Sequence, residues 1–398
     1  MVKRIVCGGA KMSALAVLLL VLAACGGGGS GSSGGGSASN SVSGVASKGL
    51  IANGVIKVFA VNADSSLRLL VSTTTDAAGK YSADIGPYAG PLLVQASGSY
   101  TDEATGAIKT VPADSPLRAA LPGASGAVSM AVTPLTELAV VKAGSSALTA
   151  TSISAANALI SDLFKVDIVG TQPVAPTAAA LQDSATSSTQ KDYTIALAAV
   201  SQMMSSGTSL AGVISTLNSG ISSSGMSVAA AQGFQDSLAQ FVSNPKNNTG
   251  VTSASQVNLG NVGGLTASYL LASTSVQSPQ SIKGIQMTLT LPPGTSCRVD
   301  ANGALLSSSL RLSGVAPLTS LNLAKFTPAT ATSNATVKLA LINATGFGLG
   351  EFATLVLDLA PGVAKPAPGA LGIAGFSAIT DVSGTVNPAI TPVVSLAP

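Results

Sequence analysis

The spacing of apolar residues changes twice along this chain, and these changes constrain its fold more than any other feature. From residue 44 to 132, short β-branched runs alternate with turn residues, which is typical of antiparallel strands. From 133 to 249, apolar residues recur every three or four positions, which indicates helices. From 250 to 398 the alternation returns. The sequence therefore predicts a multidomain, mainly β protein: a β-sandwich, a small α-helical region and a second β-sandwich.

The individual elements follow from local signals. In the first sandwich we expect strands at 55–61, 67–74, 81–85, 91–96 and 128–132. Thr133 is suited to cap a helix that begins with Pro134, because proline lacks only an amide that would be unpaired in the first turn. Gly207 and the pair Asn244–Pro245 predict helix ends. Four or five helices of this length indicate a small bundle.

In the last region, three segments alternate cleanly between apolar and polar residues: Ile285–Leu291, Val337–Leu341 and Leu355–Leu359. This pattern predicts sheets with one buried and one solvated face. On the same pattern, Asp358 is expected to face solvent.

The first 25 residues have the three parts of an export signal, with basic residues at 3, 4 and 11, an apolar run at 14–21, and a final Leu22–Ala23–Ala24–Cys25. This ending resembles the lipobox of bacterial lipoproteins. The resemblance implies that Cys25 receives a diacylglyceryl group and becomes the first residue after cleavage. The residue after it is Gly26 rather than aspartate, which in that family favours the outer membrane. An ordinary secretory signal with an incidental cysteine is the alternative.

Residues 26–43 are almost entirely Gly, Ser, Ala and Asn, a composition that predicts a flexible tether. Its 18 residues would span ~23 Å on average, enough to hold a domain away from a membrane surface.

Charge is scarce in this chain. The leader contains three of the 19 Lys and Arg residues and none of the 16 Asp and Glu, which leaves 16 of each sign and no net charge in the mature protein. Nucleic acid is therefore not an expected partner, because such binding depends on an excess of clustered cations.

The composition also argues against catalysis. The chain contains no histidine, which excludes Ser–His–Asp and Cys–His nucleophile systems, and we expect no enzyme activity, metal or cofactor. A glycosidase would need two carboxylates in a cleft, for which Asp102–Glu103 and the pair Glu351 and Asp358 are the nearest candidates. We interpret these acids as exposed charges, and Cys297 as a buried small residue.

Two segments resemble known modules. The first carries Asn53–Gly54, 74–76, 79–82 and 90–94, and resembles the carboxypeptidase regulatory-like, transthyretin-like sandwich of bacterial surface lipoproteins. That resemblance implies a non-catalytic spacer or adhesion module. The second resembles the jelly-roll group of cohesins and carbohydrate-binding modules, through residues 284–289, 291–294, 346–352 and 376–378. It implies a binding module.

Together these features predict an exported, lipid-anchored outer-membrane protein that displays binding modules at the periplasmic or cell-surface face. A protein partner, bound by the exposed sheet face of residues 250–398, is the first expectation. Polysaccharide binding is the alternative, with Tyr269 as the candidate stacking residue in a chain that lacks Trp. A carboxylate-based hydrolase is a more distant alternative.

Overall fold

A computed structural model describes residues 39–205, 207–277, 281–300 and 302–397. The predicted export signal, including Leu22, Ala23, Ala24 and Cys25, and residues 26–38 of the predicted tether lie outside the described residues. The fold is mainly β, with 37% strand and 22% helix, as the apolar spacing predicts.

The N-terminal part contains eight strands among the described residues, arranged in two sheets that share one apolar core. The strands are β1 (Asn40–Val45), β2 (Val55–Val61), β3 (Leu67–Thr74), β4 (Lys80–Gly86), β5 (Leu92–Thr101), β6 (Ile108–Val111), β7 (Leu117–Leu121) and β8 (Ala127–Ser129). One sheet has the order β4-β1-β8 and the other the order β3-β2-β5, with β6 and β7 both pairing with β5.

The alternation of buried and exposed side chains along the strands explains this core. Ile56, Val58 and Ala60 of β2 are fully buried, whereas Lys57 between them is exposed. One expectation is wrong: the sheets are not wholly antiparallel, because β1 and β8 run parallel. β8 is also shorter than predicted, since the chain continues after it with Met130 and Val132 bonded to the β1 backbone and then enters the first helix.

The middle part contains six α-helices in the described residues. They are α1 (Pro134–Lys142), α2 (Ala150–Phe164), α3 (Ala178–Gln182), α4 (Ser188–Met204), α5 (Leu210–Gly220) and α6 (Val228–Val242). Thr133 caps α1 and Pro134 occupies its first turn, which confirms the prediction. α4 is buried along most of its length, and the Phe164 and Phe234 rings of α2 and α6 meet edge to face with centroids 5.4 Å apart.

Two short strands after α5 form a hairpin, β9 (Ile221–Ser222) and β10 (Gly225–Met226). The last part of the chain then forms two further sheets. Its strands are β11 (Thr266–Ser275), β12 (Ile282–Thr290), β13 (Thr295–Ser296), β14 (Leu310–Leu312), β15 (Leu321–Thr327), β16 (Thr336–Phe347), β17 (Gly350–Leu359), β18 (Gly372–Ile379) and β19 (Ile390–Leu396).

These strands pair antiparallel. One sheet has the order β13-β17-β11-β19, with β14 also on β17, and the other the order β15-β16-β12-β18. Ile285, Met287 and Leu289 of β12 are buried between them, as the alternation predicts, and Gln286 faces solvent.

A single cluster of buried apolar side chains runs from Val42 in β1 to Ile390 in β19 and includes the helices. The described residues from 39 to 397 accordingly form one compact unit. The division into three domains at 132 and 249 stays a prediction. Among the described residues, no helix combines the length and hydropathy needed to cross a bilayer.

Candidate functional site

The outer face of the sheet β15-β16-β12-β18 carries an exposed group of apolar and basic side chains, which we call the basic face: Leu321, Leu323, Lys325, Lys338 and Ile342. Alternation places them together, because Leu321 pairs with Ile342 and Lys325 pairs with Lys338 across β15 and β16. Leu321, Leu323 and Ile342 are 54%, 57% and 50% exposed. Exposed leucines in adjacent register form a patch rather than scattered surface residues.

The two lysines of the basic face lie directly opposite each other. Like charges at paired strand positions repel, so this arrangement destabilises the isolated sheet slightly. Neither Lys325 nor Lys338 forms an ion pair with any described residue. A shallow groove of about 600 Å³ runs beside them, and Gln286, Thr288 and Asn302 contribute polar atoms to its lining. The face is suited to contact a surface that carries both apolar and anionic groups.

A second group of polar residues is buried where the first sandwich meets α4. Lys48 is fully buried, with its ammonium 3.6 Å from Asp102 Oδ2 and 3.3 Å from Glu103 Oε2. The same ammonium donates a hydrogen bond to the buried Ser201 hydroxyl, which itself donates to Glu103 Oε2. The partly exposed Lys109 lies 3.2 Å from Asp102 Oδ2. We call Lys48, Asp102, Glu103, Lys109 and Ser201 the Lys48 cluster.

Local backbone geometry positions this cluster. Gly49 adopts a φ of +59°, and a Cβ there would lie 2.0 Å from the Thr101 carbonyl oxygen, so only glycine allows the loop after β1 to approach the end of β5. The Gly49 amide donates to Glu103 Oε1 over 2.7 Å. Tyr100 lies beside the cluster, with its ring centroid 5.1 Å from the Lys48 ammonium.

Electrostatics within the cluster favour the ionised form of Asp102. Burial raises the pKa of its carboxyl, but Lys48 above all, helped by Thr105 and Lys109, outweighs burial and holds the pKa below its usual value. Burial also raises the pKa of Tyr100 above its ordinary value, and the charges of Asp102 and Glu103 add to that increase.

A third group connects the helical part with the last sandwich. Asp358 of β17 is 3% exposed and accepts two hydrogen bonds from Arg298, at 2.9 and 2.7 Å. Lys165, which ends α2, lies 3.8 Å from Asp358 and 3.3 Å from Asp162. We call Asp162, Lys165, Arg298 and Asp358 the Asp358 cluster. Burial lowers the pKa of Lys165 below its ordinary value, and the two acids only partly offset that effect.

The interpretation of the acids as exposed charges is wrong for Asp102, Glu103 and Asp358, and Glu351 is only partly exposed. Asp102 and Asp358 are buried, and Glu103 is 9% exposed, because each pairs with cations brought from elsewhere in the chain. Glu351 and Asp358 lie seven residues apart on β17, so their Cα atoms are roughly 23 Å apart, too far for a glycosidase pair, which needs roughly 5–9.5 Å.

The stacking role predicted for Tyr269 is also wrong. Its side chain is fully buried, and its hydroxyl donates to the Pro366 carbonyl oxygen over 2.7 Å. A sugar needs an exposed ring face, which this tyrosine does not present. Cys297 is 8% exposed, as predicted for a buried small residue, and burial first, then the Asp358 charge, raises its thiol pKa to about 12.

Sequence reasoning missed the basic partners of these acids, Lys48, Lys165 and Arg298. Each is far from its partner along the chain, and no local pattern connects them. The described residues contain no group of three or more His, Cys, Asp or Glu side chains placed to hold a metal ion.

Comparison with known proteins gives no relative for this chain. No protein-family description, no curated protein and no solved structure matches it.

Proposed function

We propose that this chain is a non-enzymatic, lipid-anchored envelope protein that binds a protein partner through its basic face. The lipobox-like ending at Cys25 supports the anchor, and the Gly- and Ser-rich residues 26–43 support a tether between the lipid and the folded body. The outer membrane is the proposed location. Residues 44–132 are proposed to form a transthyretin-like module and residues 250–398 a cohesin-like module.

The basic face is the observation that carries the binding role. Three half-exposed aliphatic side chains lie beside two unpaired lysines in a protein whose charged residues amount to only 9%. A partner with an apolar centre and a carboxylate-bearing rim would cover the leucines and separate the repelling Lys325 and Lys338 ammonium groups. The proposed partner is therefore an acidic protein surface.

The anchor is tested by Cys25→Ser in the full chain expressed in its native cell. Since an oxygen cannot form the thioether, we expect the variant to leave the membrane fraction and to lack the acylated N-terminal peptide in mass spectra. A Cys7→Ser variant is the matched control, because Cys7 lies within the predicted leader. A Cys25→Ser protein that stays in the membrane fraction contradicts the anchor.

The binding face is tested by Leu323→Glu in the full chain. Leu323 is 57% exposed, so the change alters the face without creating a cavity. We expect a partner cross-linked to the wild-type protein in intact envelopes to be lost. Leu69→Glu in β3 is the matched control, since Leu69 is 51% exposed in the other sandwich. Equal cross-linking by wild type and both variants contradicts the proposed face.

Polysaccharide binding is the second candidate, and the groove beside the lysines favours it. Gln286, Thr288 and Asn302 offer amide and hydroxyl groups to sugar hydroxyls, and Lys338 offers a charge to a uronic acid. An array of acidic and neutral glycans distinguishes the two candidates. Retention of acidic glycans by wild type, lost in Lys338→Gln but kept in Leu323→Glu, would support the sugar and contradict the protein partner.

A further inference from the structure

We propose that the Lys48 side chain and the Asp102 carboxyl condense into an intramolecular amide that ties the loop after β1 to the end of β5. The bond joins Lys48 Nζ to Asp102 Cγ and releases one water. This inference is independent of the binding role and of the lipid anchor, because it rests only on the Lys48 cluster, which lies between the first sandwich and α4.

Proximity and burial carry the first step of the argument. Both side chains are 0% exposed, and Lys48 Nζ lies 3.6 Å from Asp102 Oδ2. The amine and the carboxyl are therefore held side by side in a site without bulk water, where the effective concentration of each is very high. Gly49 fixes the loop that carries Lys48, since a larger residue would collide with the Thr101 carbonyl.

The two oxygens of Asp102 have different surroundings, as this reaction needs. Oδ1 accepts hydrogen bonds from the Thr105 amide at 3.0 Å and the Thr105 hydroxyl at 2.7 Å, which would stabilise negative charge on it during attack. Oδ2 is buried and faces the ammonium groups of Lys48 and Lys109, at 3.6 and 3.2 Å. Oδ1 thus becomes the amide oxygen and Oδ2 departs.

Glu103 provides the proton transfer. Its Oε2 lies 3.3 Å from Lys48 Nζ, and the Ser201 hydroxyl contacts both atoms. Glu103 accepts one proton from the Lys48 ammonium and passes it to Asp102 Oδ2, so that a neutral amine attacks the Cγ of a neutral carboxylic acid. The bond from Cγ to Oδ2 then breaks as that oxygen receives, again through Glu103, the second proton that the nitrogen loses, and the oxygen leaves as water. An ammonium and a carboxylate become an amide and water, so atoms and charge balance without another reactant.

The interior also favours the product. Two buried ions require costly removal from water, which an ion pair offsets only in part, whereas an amide is neutral and keeps the two Thr105 hydrogen bonds. Lys109 and Glu103 remain as charges of opposite sign. The bond would also close a chain loop and restrict the unfolded state, as a disulfide does.

The test is the mass of the intact full chain purified after expression, with Lys48→Arg and Lys57→Arg as a matched pair. Both variants exchange lysine for arginine, and Lys57 is exposed on β2. Arginine keeps the positive charge but does not form the amide. We expect the Lys57→Arg protein to be lighter than the Lys48→Arg protein by one water, about 18 Da. Equal masses would overturn the proposal.

Peptide mapping of the wild-type protein needs no variant and keeps the test valid if Lys48→Arg does not fold. We expect a linked pair of peptides that contains Lys48 and Asp102, with fragment ions that place the bond on Asp102. Unlinked peptides, or a bond from Lys48 to Glu103, would overturn the assignment. In Glu103→Gln we expect the linked pair to disappear, and its persistence would overturn the role of Glu103 in proton transfer.

Discussion

Replacing Asp358 with asparagine tests whether the Asp358 cluster holds the helical part against the last sandwich. The change keeps the side-chain volume but removes the charge that faces Arg298 and Lys165. Breaking a buried ion pair by removing one partner costs about 3–5 kcal/mol. Arg298 is 37% exposed and regains water, so we expect the lower end of that range, about 3 kcal/mol.

This free energy converts into a melting temperature through the unfolding entropy. At about 2.1 cal/mol/K per residue, the roughly 350 residues that the structure describes give about 0.7 kcal/mol/K. A loss of 3 kcal/mol therefore lowers Tm by about 4 °C. The assay is thermal unfolding of the full chain followed by circular dichroism.

Asp114→Asn is the matched control, because Asp114 is exposed in the turn before β7. A surface change of this kind is expected to stay within about 0.5 kcal/mol, less than 1 °C for a chain of this size. If the Asp358→Asn and Asp114→Asn proteins have the same Tm, the reasoning about the cluster is refuted. A second check is the Lys165→Met background, in which Asp358→Asn should cost less because one of the two cations is already absent.

Three further outcomes follow from other buried or turn residues. The Cys297 thiol, with its pKa raised to about 12, should not react with a thiol reagent at neutral pH until the protein is unfolded, and rapid labelling of the native chain would contradict its burial. The pKa of Asp381, lowered to about 2 by hydrogen bonds from Thr385 and Ser383, should be visible by carbon NMR. Its folded pKa is below the unfolded one, so its contribution to stability is present above about pH 3.9 and is lost as pH falls through 2. Thr133→Val should cost about 1–2 kcal/mol in urea unfolding, because it removes the α1 cap and the 2.7 Å hydrogen bond with Tyr193, whereas an unchanged midpoint would contradict that role.

Alternation and turn chemistry were sufficient to locate most strands. β2 and β3 have the predicted bounds, because recognisable turn residues flank these apolar runs: Asn53 lies before β2 and Asp76 lies after β3. The pairing of the strands was harder to predict from the sequence than their positions. The parallel pair of β1 with β8 brings together residues about 85 positions apart, and local spacing carries no information about such contacts.

The polar interior could not be predicted for a related reason. Alternation along β17 places Leu357 and Leu359 on a buried face and assigns Asp358 to solvent. In the structure all three are buried, because α2 and the segment before β11 bring Lys165 and Asn261 to the other face. A period of two identifies one buried face of a sheet, but it does not show what covers the second. The error at Asp358 is therefore an error about tertiary packing, not about the strand.

The scarcity of charge gives these buried pairs their significance. The Lys48 cluster joins the first sandwich to α4, and the Asp358 cluster joins α2 to the last sandwich, so the charges of these two clusters connect parts of the fold. Removing residues 250–398 would leave Lys165 without Asp358 and expose the apolar side chains that share its core. A deletion would thus confuse loss of binding with loss of folding. Binding through the basic face is therefore best examined by single substitutions in the full chain. Substitution of Lys325 or Lys338 changes the surface and leaves both clusters intact.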